Sequence, residues 1–337
     1  MSPSSSLTSR IAVVGAGEVG ATIAYSLLLS QIASEIVLVD PQEAVRDAQI
    51  QDLSDASYEG GTTTTVVRAG THKEAGQCDI VVMTAGAKQK KGESRTDLVG
   101  RNLAILQSSI DDMKPFARHT VLLLVTNPVD VLTHFAQHYA GLPRAQVIGS
   151  GTALDSARLR GILARQLGVA ASSVHAFVLG EHGESQVVAW SRVAVGGIPL
   201  DQTVLSSPSS SSSSSSSVGG PAKQGAGHSV QASLDKAAIG QETRDKAAAI
   251  IEAKGSTAFG IGGVASSLCR TILYDQRDVV PVSHYQEDLQ VCLSTPVVLG
   301  RKGIVQRVDM KLESEEREAL VQSAERLREV IEEAQKE

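Results

Sequence analysis

The sequence predicts an α/β protein: a doubly wound parallel sheet followed by an α+β region. Three observations point there. Short apolar runs rich in Val and Ile alternate with helical patterns through residues 9–149, a glycine-rich turn closes the first of those runs, and the pattern loosens into mixed helix and strand over 150–335.

The strand candidates are 11–15, 35–40, 64–69, 79–85, 121–126 and 146–148. Most are continuous apolar runs, as strands covered on both faces require. Helical spacing falls between them at 21–30, 43–57 and 100–117. The second region reads as a helix at 155–167, a strand at 173–179, a hairpin turning at Gly196–Gly197, and helices at 235–253 and 314–334. The last is dense in charge and is expected to face solvent. Residues 206–227 are of low complexity, with serine at every position from 209 to 217. They hold too little apolar surface to offset their ordering entropy and read as a solvated loop.

Bulk properties narrow the function. The chain has 337 residues, 42% hydrophobic, with 37 acidic against 31 basic side chains, so no basic surface for nucleic acid is expected. Aromatics are only 3%, which argues against base stacking. No apolar run is long enough to span a bilayer, and residues 1–10 lack the apolar core of a signal peptide. Cys78, Cys269 and Cys292 are scattered without metal or redox spacing, so no metal is expected and a reducing cytoplasm suits them.

The first strand runs straight into Gly15, Gly17 and Gly20, a G-x-G-x-x-G turn that includes Val19 and opens a helix. Such glycines let backbone amides and a helix N-terminus approach a pyrophosphate. Alone the hexamer is weak, since glycine turns are common. Asp40, ending the next strand, strengthens it: a carboxylate there accepts from a ribose 2′-OH and repels a 2′-phosphate. Pro41 and Gln42 add no cation, so NAD is expected rather than NADP. The plainer role for Asp40 is to cap the helix beginning at Glu43.

Four further segments carry polar groups where strands end or helices begin. They are K-Q-K-K-G-E-S-R with Gln89 and Arg95, T-N-P-V-D with Asn127, L-D-S-A-R with Asp155 and Arg158, and G-E-H-G with His182. Each has an ordinary explanation: a satisfied histidine, a turn before proline, a helix ion pair. Their joint occurrence behind a dinucleotide turn is a stronger signal than any one of them.

In this order the motifs resemble the L-lactate/malate dehydrogenase family, as does L-S-T-P-V-V-L-G-R-K-G at 293–303. The resemblance implies a Rossmann-type NAD domain and hydride exchange with a small 2-keto or 2-hydroxy acid. It implies that His182 moves the proton, Asp155 orients it, and Arg158 grips the substrate carboxylate. Arg95 would close over the site and polarise the carbonyl. Asn127 would contact substrate and cofactor across a cis bond to Pro128, and Thr257 would line the substrate pocket. Gln89 stands at the specificity position, where malate enzymes carry arginine. A neutral Gln fits pyruvate, although Lys88, Lys90 and Lys91 flank it and Ser256 replaces a frequent aromatic. Malate dehydrogenase is the nearest alternative, and a non-catalytic NAD-binding protein is the alternative from another class.

One pair lies outside this constellation. Arg158 and Arg160 are two residues apart, about 200° around a helix, so Arg160 cannot serve the same site. It reads as a surface charge and His175 as a strand-end residue. The resemblance offers a sharper reading, since bacterial allosteric relatives bind fructose 1,6-bisphosphate with an Arg and a His at these positions, across an interface of a homotetramer.

Overall fold

The computed structural model describes residues 8–59, 64–87, 95–205, 228–229 and 234–336. The first half alternates strictly: β1 (Arg10–Val14), α1 (Glu18–Ser30), β2 (Glu35–Val39), α2 (Glu43–Glu59), β3 (Val66–Ala69), α3 (His72–Ala75), β4 (Ile80–Met83), α4 (Arg95–Met113), β5 (Val121–Leu124), α5 (Val129–Tyr139) and β6 (Val147–Gly149). Next come α6 (Ala153–Leu167) and seven two-residue strands: β7 (Val174–His175), β8 (Val178–Leu179), β9 (Val187–Val188), β10 (Ala194–Val195), β11 (Ile198–Pro199), β12 (Val204–Leu205) and β13 (His228–Ser229). The chain closes with α7 (Lys236–Lys254), α8 (Phe259–Leu273), β14 (Asp278–Gln286), β15 (Val291–Gly300), β16 (Gly303–Arg307) and α9 (Ser314–Ala334).

The main sheet has nine strands in the order β16-β15-β14-β6-β5-β4-β1-β2-β3. Its six N-terminal strands are parallel, and β14 joins β6 antiparallel at Ser283 opposite Gly149. The order 3-2-1-4-5-6 is that of a doubly wound dinucleotide fold, as expected. Strands β4 and β5 are buried at every position, which explains their unbroken apolar runs. Val14, Val37, Val81 and Leu122 pack on one side with α4, α5 and α9; Ile11, Leu38, Ile80 and Leu123 pack on the other with α1 and α8.

Several expectations need correction. Helix α4 runs Arg95–Met113 rather than the expected 100–117. It ends where Lys114 precedes Pro115, because a proline ring disfavours helical backbone in the residue before it. The expected strand at 173–179 is two pieces with different partners, β7 on β10 and β8 on β9. The hairpin at Gly196–Gly197 is present, with φ of +59° and +84°, the left-handed pair that a tight β-turn needs. Helix α9 is not simply a solvated helix: Ser323, Ala324, Leu327 and Ile331 are buried against the core. Each large apolar side chain so buried contributes about 1.5–3 kcal/mol. Residues 206–227 lie outside the described residues.

Candidate active site

The candidate residues converge at the carboxyl ends of β1, β2, β5 and β6, where doubly wound sheets open a crevice. At the end of β1, Gly15 adopts φ +103° and its amide donates to Val39 O at 2.7 Å. A Cβ on Gly15 would lie 2.6 Å from the Ala85 amide nitrogen, and one on Gly20 would overlap the Gly15 carbonyl oxygen. Gly17 differs. It is the N-cap of α1, offers no side chain to the helix amides, and a Cβ on it would meet nothing within 4 Å. The first turn of α1 therefore presents open amides and a helix dipole to an anion, which fits a pyrophosphate.

The Asp40 carboxylate bridges that turn and the exit of β2, accepting from Ala16 N at 2.7 Å and Gln42 N at 2.8 Å. Its structural contact is thus to the glycine turn and the Pro41 corner, not to the helix at Glu43 alone. Arg46, on α2, senses the Asp40 charge, but its guanidinium bonds Asp47 at 2.8 Å. The corner is a poor host for an extra phosphate.

At the end of β5 the Asn127–Pro128 peptide is cis, as expected. Asn127 Oδ1 accepts from Val129 N at 3.3 Å. Asn102, only 2% exposed, holds two loops together: its Oδ1 accepts from Ala87 N at 2.7 Å and its amide donates to Asn127 O at 2.9 Å. Sequence reasoning missed Asn102, since a lone Asn within a helical pattern carries no signal.

After β6, Asp155 and Arg158 stand one turn apart in α6, both buried. Asp155 Oδ1 accepts from Arg158 Nη1 at 3.1 Å, and Asp155 Oδ2 faces His182 Nδ1 at 2.6 Å. Facing a carboxylate, Nδ1 is the protonated nitrogen, so Nε2 is the atom left for substrate. Burial works against the charge on both partners. Their mutual hydrogen bond and attraction outweigh it, and Asp155 is held below the usual carboxylate range while His182 is held above the usual imidazole range.

The loop bearing His182 is fixed at three points. Gly180 exchanges backbone hydrogen bonds with Ser294 at 2.9 and 3.0 Å, Glu181 N donates to Ser323 Oγ at 2.9 Å, and His182 N donates to Asp130 Oδ2 at 2.7 Å. Asp130 is a second residue that sequence reasoning missed, although it closes the T-N-P-V-D motif.

Arg158, His182, Asn127, Val19, Ile251 and Thr257 line one cavity of about 140 Å³. Its walls are largely apolar and its polar side chains are an arginine, an imidazole, an amide and the hydroxyls of Ser150 and Thr257, a set that suits a small carboxylate with a reducible oxygen. Ser256, beside Thr257, bonds Glu18 of α1. Gln89 and the side chain of Arg95 lie outside the described residues, although Arg95 begins α4. Arg160 and His175 are not in this cavity. Arg160 is half-buried, burial lowers its guanidinium pKa, and among the described residues it has no ion pair; His175 is exposed on β7.

Comparison with known proteins gives the family and the fold. The family model for the lactate/malate dehydrogenase NAD binding domain matches residues 9–149, and that for the alpha/beta C-terminal domain matches 152–238 and 211–337. The chain is similar to L-lactate dehydrogenase A of Rhizopus oryzae, 45% identical over 96% of this chain and 92% of that one. It is also similar to the L-lactate dehydrogenase of Allorhizobium ampelinum, 39% identical over 95% and 98%. Among solved structures, a lactate dehydrogenase from a Medee basin deep-sea metagenome library superposes with a TM-score of 0.85 at 30% identity, covering 97% of this chain and 99% of that one. The minor L-lactate dehydrogenase of Enterococcus mundtii superposes with a TM-score of 0.83 at 28% identity, covering 96% and 98%.

Proposed function

The chain belongs to the lactate/malate dehydrogenase family, and on that premise we propose that it is an NAD-dependent L-lactate dehydrogenase interconverting pyruvate and L-lactate. The observation that carries the reading is Asp155, which binds His182 with one oxygen and Arg158 with the other at the wall of a small cavity beside the glycine turn. We take residues 9–149 as the cofactor-binding part and 150–335 as the substrate part.

Gly15, Gly17, Gly20, Val19, Asp40 and Asn127 would hold the cofactor, and NADH, when bound, would supply the hydride for the substrate carbonyl carbon. Arg158 binds the pyruvate carboxylate with guanidinium donors left over from Asp155. His182 gives its Nε2 proton to the carbonyl oxygen as that oxygen gains negative charge, and Asp155 stabilises the charged imidazolium before the transfer. In lactate oxidation the same nitrogen, now neutral, takes the hydroxyl proton. Asn127 and Thr257 orient the substrate, and Arg95 polarises the carbonyl and excludes water. NADH oxidation measured with pyruvate and then with oxaloacetate tests the reading: rapid turnover of pyruvate supports it, and a preference for oxaloacetate makes the chain a malate dehydrogenase instead.

Specificity is assigned to Gln89. Gln89→Arg supplies a cation for a second carboxylate and leaves it unpaired over the methyl group of pyruvate. The expected result is a shift of on the order of 100-fold in relative kcat/KM towards oxaloacetate. An unchanged ratio would move the determinant elsewhere, with the flanking lysines first.

We assign Arg160 and His175 to a fructose 1,6-bisphosphate site across an interface of a homotetramer, in a cytoplasmic enzyme. Support comes from the half-buried Arg160, because a desolvated cation is normally met by an anion. The bisphosphate should lower the apparent KM for pyruvate, and Arg160→Gln with His175→Ala should remove that response. Superimposable saturation curves for the unmodified protein, with and without the bisphosphate, would return both residues to ordinary surface roles.

A further inference from the structure

His182 meets two carboxylates, of which the mechanism above uses one. Asp155 bonds its ring at 2.6 Å; Asp130 bonds its backbone amide at 2.7 Å. Asp130 sits in the first turn of α5, is only 2% exposed, and leaves Oδ1 without a hydrogen bond. The groups facing it are the His182 amide and imidazole, Glu181 of the same loop, the Ser283 hydroxyl on β14 and the Cys292 thiol on β15. None of these is a permanent cation. The Ser283 hydroxyl and the His182 amide favour its ionised form as neutral dipoles, and among these groups the only positive charge that can do so is the protonated imidazole.

We propose that Asp130 is a positioning residue for His182, acting as a second anion that fixes its loop and favours the protonated ring. The inference rests on the reading of His182 as the proton donor. Two features separate it from mere loop anchoring. The other two anchors of the loop, Ser294 and Ser323, are neutral, so shape alone does not call for a charge. The Asp130 charge also acts in the same direction as Asp155, raising the affinity of His182 for its proton.

A charge held there is costly. Burial pushes the Asp130 carboxyl up to about 6, against the opposing Ser283 hydroxyl and the hydrogen bond from the His182 amide. As pH falls through that value Asp130 becomes neutral and its support for the imidazolium is lost. Its effect is therefore greatest above neutrality, where pyruvate reduction depends on His182 keeping its proton.

Asp130→Asn separates the two roles. The amide oxygen can still accept from His182 N, its NH2 can donate to the unpartnered Ser283 hydroxyl, and the charge is gone. The kcat/KM for pyruvate should then fall off at a pH lower by about half a unit or more, with NADH affinity unchanged. An unchanged midpoint overturns the proposal, even if overall activity drops. Infrared spectra of the unmodified protein labelled with [4-13C]aspartate give an answer that needs neither the variant nor turnover. An aspartate that ionises between pH 5 and 7 supports the charged role, whereas one still protonated above pH 7 removes it. Absence of any pyruvate turnover in the unmodified protein would count against the proposed function, and the infrared titration would still decide the state of Asp130.

Discussion

His182→Ala should lower kcat for pyruvate reduction by about 10³-fold or more while leaving NADH affinity within a few-fold, since positioned acid–base groups contribute about 10²–10⁴-fold. Its Nδ1 is engaged by Asp155 at 2.6 Å, so the ring is held with Nε2 as its one free proton site. The glycine turn and Asp40 belong to other loops and are untouched by the change. Steady-state rates and a fluorescence titration with NADH measure the two quantities separately. Retention of most of the kcat would show that another group moves the proton. The unmodified enzyme should also show opposite pH dependences in its two directions. Pyruvate reduction needs the protonated ring, so its kcat/KM falls as pH rises through the raised pKa of His182; lactate oxidation needs the neutral ring and rises over the same range. The pair also stabilises the fold between two limits of pH. Asp155 is depressed and His182 raised, so its contribution is lost as pH falls through the former or rises through the latter.

Arg158→Lys, which conserves charge, should nevertheless lower kcat/KM for pyruvate on the order of 10²–10³-fold, with most of the change in KM. A guanidinium gives one donor to Asp155 at 3.1 Å and keeps a planar fork for the substrate. An ammonium on a flexible stem cannot present that fork. It also reaches Asp155 differently, so the carboxylate that orients His182 loses a fixed neighbour. A kcat/KM within threefold of the unmodified enzyme would mean that the substrate carboxylate is bound by another cation.

Much of this site is legible in the sequence. The parallel strands announced themselves because burial on both faces leaves only apolar residues, and β4 and β5 are buried throughout. Gly15 and Gly20 were readable because close backbone approach excludes a Cβ, Gly17 through its spacing from them at the mouth of a helix, and Asp40 because a carboxylate ending the strand beside such a turn suits a ribose hydroxyl. Asp155 and Arg158 were readable as an i,i+3 pair on one helix face. Helices α3, α5 and α8 were missed, as were strands β14, β15 and β16. Helix α5 does carry a polar stripe at helical spacing, Asp130, Thr133, His134, Gln137 and His138, but the first four of these are buried, so the stripe is a packed face and not a solvated one. Helix α9 was found, but its buried stripe lay hidden among charged neighbours.

What the sequence determined by itself was therefore local: which segments of the first half are strands, which turn admits a phosphate, and which side chains have the chemistry to grip a carboxylate and carry a proton. Spacing along one element sets these, because helix and strand repeat are fixed by backbone geometry. The tertiary structure decided what those residues meet. Only the return of the chain after β8 brings His182 to Asp155 across 27 positions, and only the packing of that loop on α5 sets Asp130 behind it across 52. Side chains so far apart in the chain share no periodicity. Their meeting depends on how the antiparallel strands β14 and β15 extend the parallel sheet and press the His182 loop against α5 and α9, a matter of packed volume and satisfied backbone groups that no single segment encodes.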